Sequence, residues 1–406
     1  MSDRPARQVA SEIARTLQSR GFVAWFAGGC VRDELLGLQP KDYDVATDAT
    51  PDQVTELFPN AHPVGAAFGV MLVRRHGVTV EVATFREEGG YSDRRRPDSI
   101  RFSSAEQDAR RRDFTINGLF RDPVTGALHD YVGGREDLRA GVLRAIGDPN
   151  ERLDEDHLRM LRAVRFVAAL DVELESETSD AIVRHAASLR GVSQERIGDE
   201  LRKILRSPGR VRGIRLLGRL GLASAIFGER PLPDDFLRLD AVGRAGGDLP
   251  SLLAAWALDW SGGTIDADAA GRDFRGRLLL SNSETDGMTR CLRACEAFAR
   301  WDDLGVAGRK RLAASPWSGV VLTMLGAVDL KAAGSIRSDI DSLAVTGLAP
   351  ERILDGEALL ADGMPEGPAF GRVLEAVYDA QLEGTILDLP AALRLARTLS
   401  GRTQGE

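Results

Sequence analysis

At 406 residues, with 28% charged and 6% aromatic residues, the chain is too long for one ordinary core and suits two or more helix-rich domains. No run approaches the ~20 apolar residues of a membrane span, and the polar N-terminus reads as an amphipathic helix, not a signal peptide. The net charge of −8 argues against a nucleic-acid partner only until it is divided along the chain: residues 1–225 hold 34 basic and 34 acidic side chains, leaving 19 of 53 and 27 of 61 for residues 226–406.

Residues 5–20 fit the amphipathic helix, 22–27 (FVAWFA) a buried strand, and 31–37 a short helix ended by Gly37. Gly28 and Gly29 lie between strand and helix. There they allow backbone to approach a phosphate closely, and the helix behind them offers free N–H groups to an anion. Cys30, inside this turn, reads as a small packing residue. Residues 42–46 are expected to form a second strand, so that Asp42 and Asp44 project from one face. Hard oxygen ligands at that spacing suit Mg²⁺ on a triphosphate. Taken singly, Gly-Gly is an ordinary turn and the acid pair a solvated strand edge; the order of the two is what points to nucleotide chemistry.

Thr50-Pro51-Asp52-Gln53 has the form of a capping box with proline at the first helical position. Strands over 69–75 and 78–85 are expected to join as a hairpin at His76-Gly77. Glu81 lies on the second strand between Val80 and Val82, where an acid must be paired, bind metal or face solvent; facing the metal is one of these options. Residues 86–100, polar and without period, read as a long functional loop. A strand near 100–103 and a helix near 104–110 lead into RRRDFTIN. There Arg111, Arg112 and Asp113, then Asn117, offer a phosphate clamp and a polar group for a ribose or phosphate; an ordinary charged helix start capped by Asp113 is the alternative. No activated serine motif is present and the five histidines are scattered, so direct transfer without a covalent intermediate is favoured.

Beyond about residue 147 almost no strand pattern remains, and helices fit 154–169, 177–189, 194–206 and 209–221. On the first of these, Glu155, Asp156, Arg159 and Arg162 form a third cluster, with the last three sharing one face. Such an Asp–Arg pair can meet the Watson–Crick edge of cytosine or adenine, whereas guanine and uracil present a carbonyl where the carboxylate needs an amine. Intrahelical salt bridges are the alternative for the same residues. Glu195, Arg196 and Glu200 read as pins for the neighbouring helix. From Leu201 to Leu222 there are seven basic residues and no acid, among them Arg202, Lys203, Arg206 and Arg210, a stripe able to grip a phosphate backbone. Pro/Gly breaks at 228–234 and 261–264 separate further helical segments. Cys291 and Cys295 share a helical face but have no partner pair to make a zinc site, so they read as reduced cytosolic thiols.

GGCVRD with DYD, then RRDFTIN, LRAIGDPNERLDEDHLRMLRAVRF and ERIGDEL, in this order, resemble the class II tRNA nucleotidyltransferase and poly(A) polymerase family. The resemblance covers about the first 220 residues. It implies an α+β fold: a polymerase-β-like nucleotidyltransferase head over 1–147, then an all-α neck (148–225) with a nucleotide-selecting helix, a body (226–345) and a tRNA-binding tail (346–406). The implied activity adds CCA, or part of it, to tRNA 3′ ends from CTP and ATP, releasing pyrophosphate, in the cytoplasm, with no membrane or protein partner. By the same resemblance Asp42 and Asp44 bind Mg²⁺, and Glu81 stays a metal candidate from its place on the strand alone. The resemblance also implies that Arg112 and Asn117 help hold the nucleotide and that Asp156 with Arg159 selects the base; Gly28, Gly29, Arg32, Asp113 and Arg162 are the further nucleotide-site candidates from the residues themselves. The 25 residues between Phe85 and the RRD motif look like the loop used for switching from C to A addition. The segment VGAAFGVMLV, with Gly65 and no Arg pair, departs from bacterial poly(A) polymerases. An A-adding enzyme or poly(A) polymerase and, in a different class, a silent RNA-binding protein are the competing readings; the intact DxD pair argues against silence.

Overall fold

The computed structural model describes residues 5–64, 69–91, 94 and 97–403; Gly65 lies outside them. The chain divides into two compact units, Met1–Leu232 and Pro233–Glu406.

The first unit opens with α1 (Ala6–Gln18), whose Val9, Ala10, Ile13, Ala14 and Leu17 are buried at the i, i+3, i+4 spacing of an amphipathic helix. Strands β1 (Ala24–Ala27), β2 (Val45–Thr47), β3 (Ala61–Pro63), β4 (Val70–Arg75) and β5 (Val78–Thr84) follow, with α2 (Gly29–Leu35) and α3 (Pro51–Leu57) between them. The capping box before α3 is present, Thr50 accepting from Gln53 and Gln53 from Thr50. His76 and Gly77 both have positive φ (51° and 84°), the backbone a two-residue hairpin turn requires. The stretch expected to be an irregular loop instead carries a two-stranded hairpin, β6 (Arg86–Gly89) on β7 (Ser99–Phe102), with Glu87 opposite Arg101. A cross-strand pair of opposite charge supplies what apolar periodicity did not.

Helix α4 (Ala105–Arg110), the 3₁₀ turn Thr115–Asn117, β8 (Leu119–Arg121), β9 (Leu128–Asp130) and α5 (Gly134–Ala140) complete the α+β part. Seven strands form one sheet in the order β3-β4-β5-β2-β1-β8-β9. Its core includes Phe26, Phe85, Phe114, Ile116 and Phe120, each at most 2% exposed. Two short strands, β10 (Val142–Leu143) and β11 (Glu173–Leu174), then pair in parallel.

The rest of the unit is helical: α6 (Pro149–Glu155), α7 (Arg159–Leu170), α8 (Ser176–His185), α9 (Gln194–Arg206), α10 (Arg210–Arg219) and α11 (Leu222–Phe227). The second unit is built among its described residues from ten more helices: α12 (Leu237–Arg244), α13 (Leu249–Ser261), α14 (Ala267–Leu278), α15 (Asn282–Phe298), α16 (Val306–Ala313), α17 (Ser318–Val328), α18 (Leu330–Ala344), α19 (Gly356–Ala361), α20 (Pro368–Leu382) and α21 (Leu389–Thr403). The breaks around 228–234 and 261–264 fall between helices, as the sequence indicates. Trp256 is fully buried there, stacked on Trp260 and edge-on to Phe274. No helix among the described residues is long and apolar enough to cross a membrane.

Candidate active site

A cavity of about 620 Å³ lies in the first unit. Gly28, Gly29, Arg32, Asp44, Glu81, Arg112, Asp113, Asn117, Asp156, Arg159 and Arg162 all reach it. Residues separated by more than a hundred positions are thus gathered around one space.

Gly28 caps α2 with φ +69°, a backbone that favours glycine. A Cβ built there would stand 2.6 Å from Arg112 Nη1. Cys30 beside it is packed, and burial pushes its thiol up to about 11, out of reach of nucleophilic work.

Asp42 and Asp44 are not on a strand: β2 begins one residue later, at Val45. What aligns Asp44 is the parallel register of β2 on β5, which pairs Val45 with Val82 and so brings Asp44 alongside Glu81. Burial raises the Asp44 carboxyl, and Glu81 and then Asp42 push it further in the same direction. Carboxylates that crowd one another in this way form a hard-oxygen set that a divalent cation would relieve, and in that chemistry they fit Mg²⁺. As they stand, no three His, Cys, Asp or Glu side chains among the described residues are drawn close enough to enclose an ion.

The RRD segment is organised by a residue that sequence reasoning passed over. Asp108, 1% exposed on α4, accepts from Arg111 through Oδ1 (2.9 Å) and from Arg112 through Oδ2 (3.0 Å). Burial alone would raise this carboxyl; Arg112 and Arg111 more than offset it. The signal was an acid three and four residues before the two arginines on a helix. Arg112 also donates to Asn117 O (3.0 Å) and lies over the Phe120 ring.

Arg32, Asn117, Asp113 and Arg162 form a buried relay. Arg32 Nη1 donates to Asn117 Oδ1 (2.6 Å), Asn117 Nδ2 donates to Asp113 Oδ1 (2.9 Å), and Arg162 donates to Asp113 Oδ2 (2.8 Å). Burial opposes the Asp113 charge, but Arg162, Asn117 and the Phe114 N–H outweigh it and hold the carboxyl at about 2.

The expected continuous helix over 154–169 is broken. α6 ends at Glu155, Asp156 is extended (φ −152°, ψ 104°), and α7 starts at Arg159. Asp156 therefore does not share a helical face with Arg159 and Arg162. Its Oδ1 instead accepts from Leu158 N (3.0 Å), and its Oδ2 accepts from Arg196 Nη2 (2.7 Å). Arg159 donates to Arg152 O (2.7 Å) and to Glu155. Glu200 is 3% exposed between Arg165 of α7 (2.9 Å) and Lys203 (3.0 Å) and so pins α9 to its neighbour as expected, whereas Arg196 holds Asp156 on the extended stretch between helices.

The hairpin β6–β7 touches the same cavity. Glu88 accepts from Arg86 (2.8 Å), Arg111 (3.1 Å) and Tyr91. Further out, Arg94 Nη1 lies 3.0 Å from His157 Nε2, and His157 Nδ1 lies 3.0 Å from Leu153 O. An arginine can only donate, so Nε2 accepts and the proton sits on Nδ1, facing the carbonyl. Burial, with Arg94 and His185 adding to it, holds His157 below its ordinary value, as a neutral ring requires.

Of the basic stripe, Arg206, Arg215 and Arg219 are exposed, whereas Arg202 and Lys203 pair with Asp199 and Glu200. Arg210 departs from the expectation. It is 8% exposed and donates to Leu205 O (2.8 Å), so it staples the α9–α10 turn rather than facing a partner.

Comparison with known proteins gives a consistent neighbourhood. The family described as "Poly A polymerase head domain" matches residues 24–144, and "Probable RNA and SrmB- binding site of polymerase A" matches 171–234. A CCA-adding enzyme of Geobacillus sp. (strain WCH70) is 43% identical over 216 residues, 53% of either chain, so this match spans about half the length of that relative. One from Lactiplantibacillus plantarum is 34% identical over 380 residues, 92% of this chain and 91% of that one. Among solved structures, the Bacillus stearothermophilus CCA-adding enzyme in complex with CTP aligns over 100% of both chains at 28% identity with a TM-score of 0.81. The Thermotoga maritima CCA-adding enzyme complexed with tRNA-CCA, at 20% identity, 96% and 94% coverage and a TM-score of 0.71, shares the fold.

Proposed function

The chain belongs to the CCA-adding enzyme family, and from that premise we propose that it adds CCA to the 3′ end of tRNA from CTP and ATP without a nucleic-acid template. In each step the terminal 3′ oxygen attacks the α-phosphorus of the triphosphate. A new P–O bond forms, the bond to pyrophosphate breaks, and the hydroxyl proton leaves to solvent or a neighbouring carboxylate. The observation that carries the reading is the shared cavity: the crowded carboxylates Asp44 and Glu81 and the held pair Asp156–Arg159 line the same space.

Asp42, Asp44 and Glu81 would hold Mg²⁺, which supplies charge neutralisation at the phosphates when bound. Gly28 and Gly29 give the phosphates close access to backbone, and Arg32, Arg112, Asp113, Asn117 and Arg162 hold the sugar and phosphates. Asp156 accepts from the exocyclic amine of cytosine or adenine, and Arg159 donates to the ring. Both are fixed by neighbours, so base choice comes from preorganised groups. Arg202, Lys203 and Arg206 grip the acceptor, a reading supported by the RNA-binding match over 171–234 that encloses them. In this scheme residues 1–147 are the catalytic head, 148–225 the neck, 226–345 the body and 346–406 the tRNA-binding tail, working in the cytoplasm.

Three tRNAs, ending before CCA, after C and after CC, each given CTP, ATP or both, test the reading. Stepwise completion of all three is expected with both nucleotides. Addition of A alone, confined to the CC-ended tRNA, would instead assign an A-adding enzyme.

A further inference from the structure

Asp42 and Asp44 lie outside the strand, so strand pleating does not fix where their carboxylates stand. Between them Tyr43 is 7% exposed, whereas both acids reach solvent. The Tyr43 ring packs on the buried Phe26 of β1, with centroids 5.0 Å apart. Its hydroxyl donates to Glu34 Oε1 on α2 (2.8 Å). Glu34 also accepts from Arg7 Nε of α1 (2.7 Å) through Oε1 and from Arg121 Nη1 of β8 (2.8 Å) through Oε2. One carboxylate on α2 thus ties α1 and β8 to the residue between the two acids. Ala27 N donates to Asp44 O (3.1 Å) and fastens the end of the same segment to β1.

We propose that Tyr43 and Glu34 are positioning residues for the metal-binding carboxylates, which they hold through the backbone between Asp42 and Asp44. The proposal rests on the nucleotidyl-transfer reading above. Consecutive Cα atoms stand about 3.8 Å apart, so a fixed Tyr43 leaves its two neighbours little room to shift. A metal site needs its ligands held to about 0.5 Å by the groups behind them. A buried tyrosine hydroxyl is costly without an acceptor, which keeps Tyr43 on Glu34. The Arg7 and Arg121 guanidinium groups keep that acceptor in place and compensate its charge. Helix α2 begins at Gly29, so the same contact sets the two acids against the turn proposed to meet the phosphates. Neither Tyr43 nor Glu34 lines the cavity, so each acts through Asp42 and Asp44 and not on the nucleotide.

The test titrates the full-length protein with Mn²⁺ alone, reading bound metal from the loss of the free-ion electron paramagnetic resonance signal. Tm and single-nucleotide addition to tRNA are measured beside it. Tyr43→Phe keeps the ring and removes the hydroxyl. It should weaken Mn²⁺ binding about 10-fold and lower kcat, with KM for CTP nearly unchanged. Glu34→Leu should do the same, and the double variant should lose no more than the larger single loss, because all three break one contact. Parent-like Mn²⁺ affinity in Tyr43→Phe, or losses that add in the double variant, would overturn the proposal whatever the change in Tm. If Glu34→Leu does not fold, Tyr43→Phe alone decides. Undiminished Mn²⁺ binding by Asp44→Asn would overturn the metal site itself and this proposal with it. A parent that binds Mn²⁺ but adds nothing to tRNA would fail the tRNA reading alone, and the Mn²⁺ affinities would still decide the role of Tyr43.

Discussion

Arg196 donates through Nη2 to Asp156 Oδ2 at 2.7 Å, across forty residues of chain. With Leu158 N on the other oxygen, both carboxylate oxygens of Asp156 are directed by neighbours before any nucleotide arrives. The proposed base-reading group is thus a side chain on extended backbone between two helices, held from a third helix.

Removing Arg196 should therefore blur base choice. Arg196→Ala is expected to lower discrimination between CTP and UTP by about tenfold, with a stability loss of about 1 kcal/mol for a partly exposed pair. Arg159→Ala should blur choice in the same assay more than it weakens triphosphate binding. Arg196→Lys should recover part of the discrimination. Unchanged CTP-over-UTP ratios in single-nucleotide addition to tRNA would count against a protein-templated choice.

Asp44→Asn keeps shape and removes one charge from the crowded set. Loss of transfer by about 10³-fold or more is expected, with tRNA affinity nearly unchanged by filter binding. Asp42→Ala should behave alike. A variant as active as the parent would remove the metal assignment.

Gly28→Ala places a methyl where the backbone has φ +69° and where Arg112 Nη1 lies 2.6 Å away. The guanidinium end can shift, so the fold should survive at a cost of about 1 kcal/mol. The displaced Arg112 should raise KM for both CTP and ATP. An unchanged KM at reduced Tm would mean that the glycine serves only the turn.

Asp113 ties stability to acid pH. Its carboxyl titrates at about 2 in the fold against an ordinary 3.8, so the charged form is favoured by folding. That contribution, about 2 kcal/mol, is fully present above about pH 4 and disappears as pH falls towards 2. Asp113→Asn should flatten this part of the urea-denaturation pH profile. It should also destabilise at neutral pH by about 3 kcal/mol, because Arg162 is left without its carboxylate. A parent-like acid slope in the variant would place the titration elsewhere.

Much of the scaffold was legible in local chemistry. The capping box at Thr50, the His76-Gly77 hairpin, the amphipathic α1 and the run of helices after residue 147 all follow from propensity, capping and periodicity. The motifs also pointed to residues that the fold gathers round one cavity. Four local inferences fail for identifiable reasons, two of them in strands: β2 begins only after Asp44, and the expected loop over 86–100 carries a hairpin held by Glu87 opposite Arg101. Asp156 was read as helical because its spacing to Arg159 and Arg162 fits a helix, but hydrogen bonds to Leu158 N and Arg196 hold it extended. Arg210 was counted with the RNA-facing stripe because charge alone does not tell a staple from an exposed side chain.

The sequence by itself determined most of the element types and the kinds of side chain offered to a site, since hydrophobic period, caps and residue type act over a few neighbouring positions. Only the tertiary structure decided the distances. The β2–β5 register brings Asp44 to Glu81, and α9 delivers Arg196 to Asp156. These are contacts between segments far apart in the chain, set by how buried faces pack together, and no local pattern encodes them.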